Sequence, residues 1–227
     1  MEKSEFCPTH KIEFLGFILN STEMTIKLTE VKADKIKNLG LKILNMDKIK
    51  IRDLAGFIGN VVAAGESVQQ APLKYKYLEI LRNEALKENC GNFDAPLHLD
   101  KRAKCLIHWW TSNIHSCFRS LQRSNPDLSI YTDASLSGWG ACSGGNITSG
   151  HWDALEKDHI NILELKAVLF GLKALMHNVR CKHIRIKSDN NTVIASINNQ
   201  GSVKMKLLDV TEKIFEWAKS GTRISSS

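Results

Sequence analysis

The chain has 227 residues, 43% of them apolar, and a formal charge of +7; this length and apolar content suffice for one large or two small cored domains and exclude a disordered chain. The charge is uneven, with 19 Lys and Arg against 14 Asp and Glu in residues 1–125 (+5) and 12 against 10 in residues 126–227 (+2), and such a basic surface favours polyanions through counterion release. Six cysteines without a Cys-x-x-Cys pair, no apolar run at Met1–Glu5, and no apolar stretch of the roughly 20 residues that a membrane span needs predict a reduced, intracellular protein, cytoplasmic or nuclear, rather than a secreted or membrane-embedded one.

In chain order, residues 11–28 predict a hairpin. Ile12, Phe14, Leu15, Phe17 and Ile18 form one apolar strand, Asn20–Glu23 the turn, and Met24, Ile26 and Leu28 an alternating second strand. Thr29 reads as a helix N-cap. The helical run Glu30–Leu44 follows, with Val31, Ile36, Leu39 and Ile43 as its apolar positions, and a second run starts at Ile51 with Leu54, Phe57, Ile58, Val61 and Val62. Pro72 opens a further helix carrying Leu73, Tyr75, Tyr77, Leu78 and Leu81, which Cys90–Gly91–Asn92 ends. Leu97–Leu121 predicts an amphipathic helix whose Leu106, Trp109, Trp110, Ile114 and Phe118 pack as core, and Ser124–Asp127 marks a boundary.

Beyond that boundary, Ser129–Ser135 is an apolar, β-branched run that predicts a buried strand. Gly138–Gly145 and Ile147–Trp152 continue it as an antiparallel meander, joined by a turn at Gly144–Asn146. Helix Ile160–Met176, strand His183–Ser188, a short helix Asn190–Asn199 and a longer helix Val203–Lys219 closed by Gly221 complete the pattern. Three acids stand out. Asp133 ends the first strand, Asp189 ends the later one, and Glu164 lies mid-helix among Ile160, Leu163, Leu165, Val168, Leu169 and Leu172. Turn chemistry would account for either aspartate alone, but the helix leaves few polar faces for Glu164. A trio of carboxylates on three elements of one strand–helix–strand unit suits a divalent cation, because magnesium takes oxygen ligands and is commonly held by a few carboxylates plus substrate phosphates.

Tyr131–Thr132–Asp133–Ala134–Ser135, then Gly138–Trp139–Gly140–Ala141, Glu164–Leu165–Lys166–Ala167 and Ser188–Asp189–Asn190, with 31 and 25 residues between successive acids, resemble the first three blocks of a ribonuclease H domain. Gly150–His151–Trp152 and His159–Leu165 are similar to the ribonuclease H of DIRS-like retrotransposons in particular. Upstream, Phe14–Leu15–Gly16–Phe17 followed by the Met24–Leu28 strand, Lys32 and Ile36 resembles the palm end and thumb start of a retroelement reverse transcriptase, in which the Phe–Leu–Gly hairpin helps hold the primer end.

The resemblance implies an α/β fold, a ribonuclease H-like mixed five-stranded sheet flanked by helices, preceded by a smaller α+β region. It implies a palm-end and thumb-like region over residues 1–95, a helical connector over 96–125 and a ribonuclease H-like domain over 126–227. It also implies cleavage of the RNA strand of an RNA–DNA hybrid by two-metal phosphodiester hydrolysis. Asp133, Glu164 and Asp189 would be catalytic and bind two magnesium ions, with manganese as the alternative, and Asn161 and Asn191 would contact substrate. Partners would be the RNA–DNA hybrid and primer-template nucleic acid, with no membrane. No Tyr-x-Asp-Asp occurs, so the polymerase domain is expected upstream in the same polyprotein. Two departures keep alternatives open. Gln200–Gly201–Ser202 leads directly into a helix where cellular enzymes insert a basic one, and Thr222–Ser227 is expected to begin the last strand of a C-terminally incomplete domain that lacks the family's fourth acid. A catalytically inactive nucleic-acid-binding fragment, or another nuclease of the same fold such as an integrase-like or junction-resolving one, are the alternatives.

Overall fold

A three-strand meander opens the first unit: β1 (Lys11–Phe14), β2 (Phe17–Asn20) and β3 (Thr25–Leu28). The computed structural model describes residues 7–122, 124–218 and 222–227; Met1–Glu5 and Gly221, on which two of the expectations above rest, lie outside them. The apolar run at residues 12–18 is thus two strands instead of one. Phe14 pairs with Phe17 across a two-residue turn in which Leu15 (φ 52°) and Gly16 (φ 78°) are both left-handed, the backbone that tight hairpins need. A Cβ at Gly16 would overlap the Lys32 side chain, whose ammonium donates to the Leu15 carbonyl. Phe14 and Leu15 are therefore exposed and not core.

The chain divides into two compact units, Met1–Arg123 and Ser124–Ser227. In the first, α1 (Glu30–Leu44) starts at Thr29, which caps by position but without a side-chain hydrogen bond, and buries Ala33, Ile36, Gly40 and Ile43 at helical spacing, leaving Val31 exposed. Gly40 admits close approach, since a Cβ there would meet Thr111 Cγ2 at 2.4 Å. Strand β4 (Ile49–Lys50) leads into α2 (Ile51–Ala64), a single 3-10 turn (Gly65–Ser67), α3 (Pro72–Glu88) and β5 (Pro96–Leu97), which pairs with β4. Helix α4 (Lys101–Asn113) starts later than the expected Leu97 because the Asp100 side chain accepts from Ala103 N and caps it there, and it ends at Asn113 instead of Leu121. Trp110 is fully buried, and its Nε1 donates to the Lys74 carbonyl. Phe118 falls beyond the helix and is exposed. Strand β6 (Arg119–Ser120) adds to β3, completing an α+β unit with a four-stranded sheet in the order β1-β2-β3-β6.

The second unit is a mixed five-stranded sheet flanked by helices. Strands β7 (Leu128–Ala134), β8 (Gly138–Ser143) and β9 (Asn146–His151) form the expected meander, turning at Gly144 and Gly145. Helix α5 (Ile160–Leu175) then crosses to β10 (His183–Lys187), which pairs parallel to β7. Helices α6 (Asn191–Asn198) and α7 (Met205–Trp217) lead to β11 (Arg223–Ser226), parallel to β10, giving the order β11-β10-β7-β8-β9. Helix α5 rests closely on β7 and β8, since a Cβ at Gly171 would lie 2.7 Å from Ala141 Cβ and 3.1 Å from Ile130 Cδ1. Strand β7 is not buried on both sides as its composition predicts: Ile130 and Thr132 are buried, whereas Tyr131 and Asp133 face the open side. Among the described residues no helix is long and apolar enough to cross a membrane.

Candidate metal centre

Each of the three acids is delivered by a different local device. Asp133 stands one residue from the end of β7, and its Oδ1 accepts from Ala134 N at 2.9 Å. The chain beyond it is pinned because Ser135 Oγ accepts from the Ser137 and Gly138 amides, both at 3.2 Å, and Trp152 Nε1 donates to the Ser135 carbonyl at 2.8 Å. Asp189 follows β10, where Ser188 Oγ accepts from Asn190 N at 3.1 Å. Glu164 projects from the second turn of α5, one heptad before the glycine that seats the helix on the sheet.

One ligand oxygen from each of Asp133, Glu164 and Asp189 lies within 4.8 Å of the others. Their environments differ. Asp133 and Asp189 are exposed, whereas Glu164 is 6% exposed and its Oε2 has no hydrogen-bond partner among the described residues. Burial, then the charges of Asp133 and Asp189, push the Glu164 carboxyl up to about 7, only partly offset by the Ala134 amide. A buried, incompletely bonded carboxylate beside two others is costly without a cation, and an all-oxygen trio is the donor set that hard divalent ions take. The residues present therefore fit such an ion.

Asn161 is the second residue of α5 and half-buried; the cap of that helix is His159, whose Nδ1 accepts from Asn161 N. Asn161 Oδ1 accepts from Asn190 Nδ2 at 3.1 Å. Asn191 is the exposed first residue of α6. Sequence reasoning missed Asn190, which caps α6 by accepting from Thr192 N at 2.8 Å and also ties the start of α5 to the loop carrying Asp189. An Asn directly before a helical run was the available signal. It also missed the pair Tyr131 and Lys187, each two residues before an acid, in which Lys187 Nζ donates to the Tyr131 hydroxyl at 2.9 Å. Asp133 borders two hollows. One, of about 580 Å³, runs over the open sheet face past Tyr131, Cys142, Ile147, Lys187 and Asp189. The other, of about 400 Å³, is lined by Ser135, Ser137, Trp139, Ser149 and His151.

Residues 141–227 match the family model described as reverse transcriptase-like, a stretch that includes Glu164 and Asp189 and begins after Asp133. This agrees with the resemblance read from the motifs. No curated protein matches the sequence. Among solved structures, the chain is similar to a foamy viral protease-reverse transcriptase in complex with RNA/DNA hybrid, at 15% identity and TM-score 0.39 over 96% of this chain and 29% of that one. The chain thus spans less than a third of that protein's length. It is also similar to the N-terminal RNase H domain of a Mycobacterium tuberculosis protein, at 17% identity and TM-score 0.36 over 44% of this chain and 83% of that one. RNase H1 from Halobacterium salinarum gives 20% identity and TM-score 0.34 over 44% and 84%.

Proposed function

We propose that this chain is the ribonuclease H portion of a retrotransposon reverse transcriptase, hydrolysing the RNA strand of an RNA–DNA hybrid. The observation that carries the reading is the convergence of Asp133, Glu164 and Asp189 from a strand, a helix and the loop after a second strand, with the helix acid buried and short of a partner. These three residues would hold magnesium, or manganese in its place. What the bound ions supply is activation of a water and stabilisation of the leaving oxygen at a phosphodiester.

The chain's own residues supply the positioning. The exposed carboxylates of Asp133 and Asp189 open onto the grooves where a nucleic-acid strand can lie, while Glu164 anchors the trio from the protein side. Asn161, fixed by Asn190, and the exposed Asn191 are offered as strand contacts close to the same loop. Residues 1–95 are read as the palm end and thumb of the same enzyme and 96–125 as its connector, binding primer-template and hybrid through their charge of +5. The polymerase domain would precede them in one intracellular polyprotein.

The deciding experiment incubates a strand-labelled RNA–DNA hybrid with the full chain and magnesium. Cleavage confined to the RNA strand, dependent on the metal and lost in Asp133→Asn with hybrid binding kept, is the expected result. Equal rates for Asp133→Asn and the parent at saturating magnesium would refute the assignment.

A further inference from the structure

The open face of the second unit's sheet carries two cross-strand rows. Register pairs Lys187 with Tyr131, Tyr131 with Cys142 and Cys142 with Ile147, and two residues further along β7 it pairs Asp133 with Gly140 and Gly140 with Ser149. Residues two apart on a strand share a face and lie about 7 Å apart. One row therefore holds an ammonium over apolar neighbours, and the next holds an acid of the metal centre beside small residues that leave space. Both rows line one groove of about 580 Å³.

Lys187 sits on β10 between β7 and β11 and is half-buried. Its Nζ donates to the Tyr131 hydroxyl at 2.9 Å and stands 4.8 Å from the ring centroid. Among the described residues it has no carboxylate in ion-pair range. An ammonium held, among the described residues, by a phenol and its ring has no counter-charge in contact with it. Its natural complement is an anion arriving in the groove.

We infer that Lys187, held in place by Tyr131, is a positioning residue that takes a backbone phosphate of the nucleic-acid strand, next to the phosphodiester seated at Asp133, Glu164 and Asp189. This rests on the hydrolytic reading above and names a contact in that same site. Tyr131 fixes the ammonium, and the exposed Ile147 and the neighbouring Cys142 give the adjacent sugar an apolar floor.

The test measures binding of a labelled RNA–DNA hybrid to the full chain across a salt series in EDTA, and cleavage kinetics in magnesium. Lys187→Met is expected to weaken binding and flatten the log–log salt dependence by about 0.9, the value for one phosphate, and to raise KM more than it lowers kcat. Lys187→Arg should restore the slope, and Tyr131→Phe should keep it while raising KM. Lys187→Gln serves as the second variant should Met disturb the sheet, and magnesium should raise the melting temperature of each variant as much as the parent's. A parent that binds hybrid but leaves it uncut ends the hydrolytic reading, while a flattened slope in Lys187→Met would still uphold this contact. A parent that cuts hybrid while the Lys187→Met slope is unchanged ends this inference alone, and a parent that binds no hybrid ends both.

Discussion

Glu164→Gln separates the cost of the acid trio from its use. In the metal-free protein the Glu164 carboxyl is raised from 4.5 to about 7, first by burial and then by Asp133 and Asp189. A folded-state value above the unfolded one means that the folded chain binds this proton more tightly. Stability from this group is whole below about pH 4.5, falls as pH rises toward 7, and stays low above it. The interval corresponds to about 3 kcal/mol. Glutamine keeps the shape, carries no charge, and can donate to the neighbouring aspartates, so at pH 8 in EDTA Glu164→Gln should recover most of that loss. For a unit of this size the gain is a rise in melting temperature on the order of 10 °C. The parent should rise on adding magnesium, more at pH 8 than at pH 5, and the variant should barely respond. Differential scanning calorimetry at the two pH values, with EDTA and with magnesium, reads all four conditions. If Glu164→Gln in EDTA at pH 8 melts no higher than the parent, Glu164 does not carry the strain assigned to it and the account of the centre fails.

Removing residues 1–125 should weaken hybrid binding and flatten its salt dependence by about 0.9 for each phosphate those residues neutralise; an identical slope for residues 126–227 alone would take the first unit out of the binding model. Gly171→Val should destabilise the second unit by about 1–3 kcal/mol through overpacking against Ala141 and Ile130, seen as a lower melting temperature in EDTA. Asn190→Ala should cost about 1 kcal/mol through removal of the α6 cap and should lower hybrid cleavage further than that destabilisation explains, because Asn161 is left without its partner; a variant with the parent's cleavage rate would leave Asn190 a cap and nothing more.

The meander, the crossing helix, the parallel strand and the three acids were legible because each rests on a local pattern: alternation in β7, helical spacing in α5, and carboxylates at element ends. What escaped the sequence depends on what a segment meets in space. Phe14–Phe17 looked like one strand because apolarity was read without the two left-handed residues at its centre. Phe118 matched the helical period of α4, but the helix stops at Asn113. Asp133 was expected to be buried from the composition of its strand, whereas burial falls on Glu164, since only one face of β7 is covered by α5. The cap at Asn190 had a local signal, but its tie to Asn161 and the pairing of Lys187 with Tyr131 escaped for the same reason, as these partners lie 29 and 56 residues away.

The division between one buried and two exposed acids bears on how such a centre can be both stable and usable. Were all three carboxylates exposed, water and salt would screen their repulsion and a cation would gain little by binding. Were all three buried, the metal-free unit would carry a desolvation cost that a domain of marginal stability could not bear. Placing only Glu164 under α5, with its Oε2 unpaired, confines the strain to one residue and makes it relievable by a cation. Asp133 and Asp189 stay open toward the grooves, where a phosphate can complete the shell. On the proposed reading, the helix acid would set how strongly the site wants its ion, and the two acids at the strand ends would set where a substrate meets it.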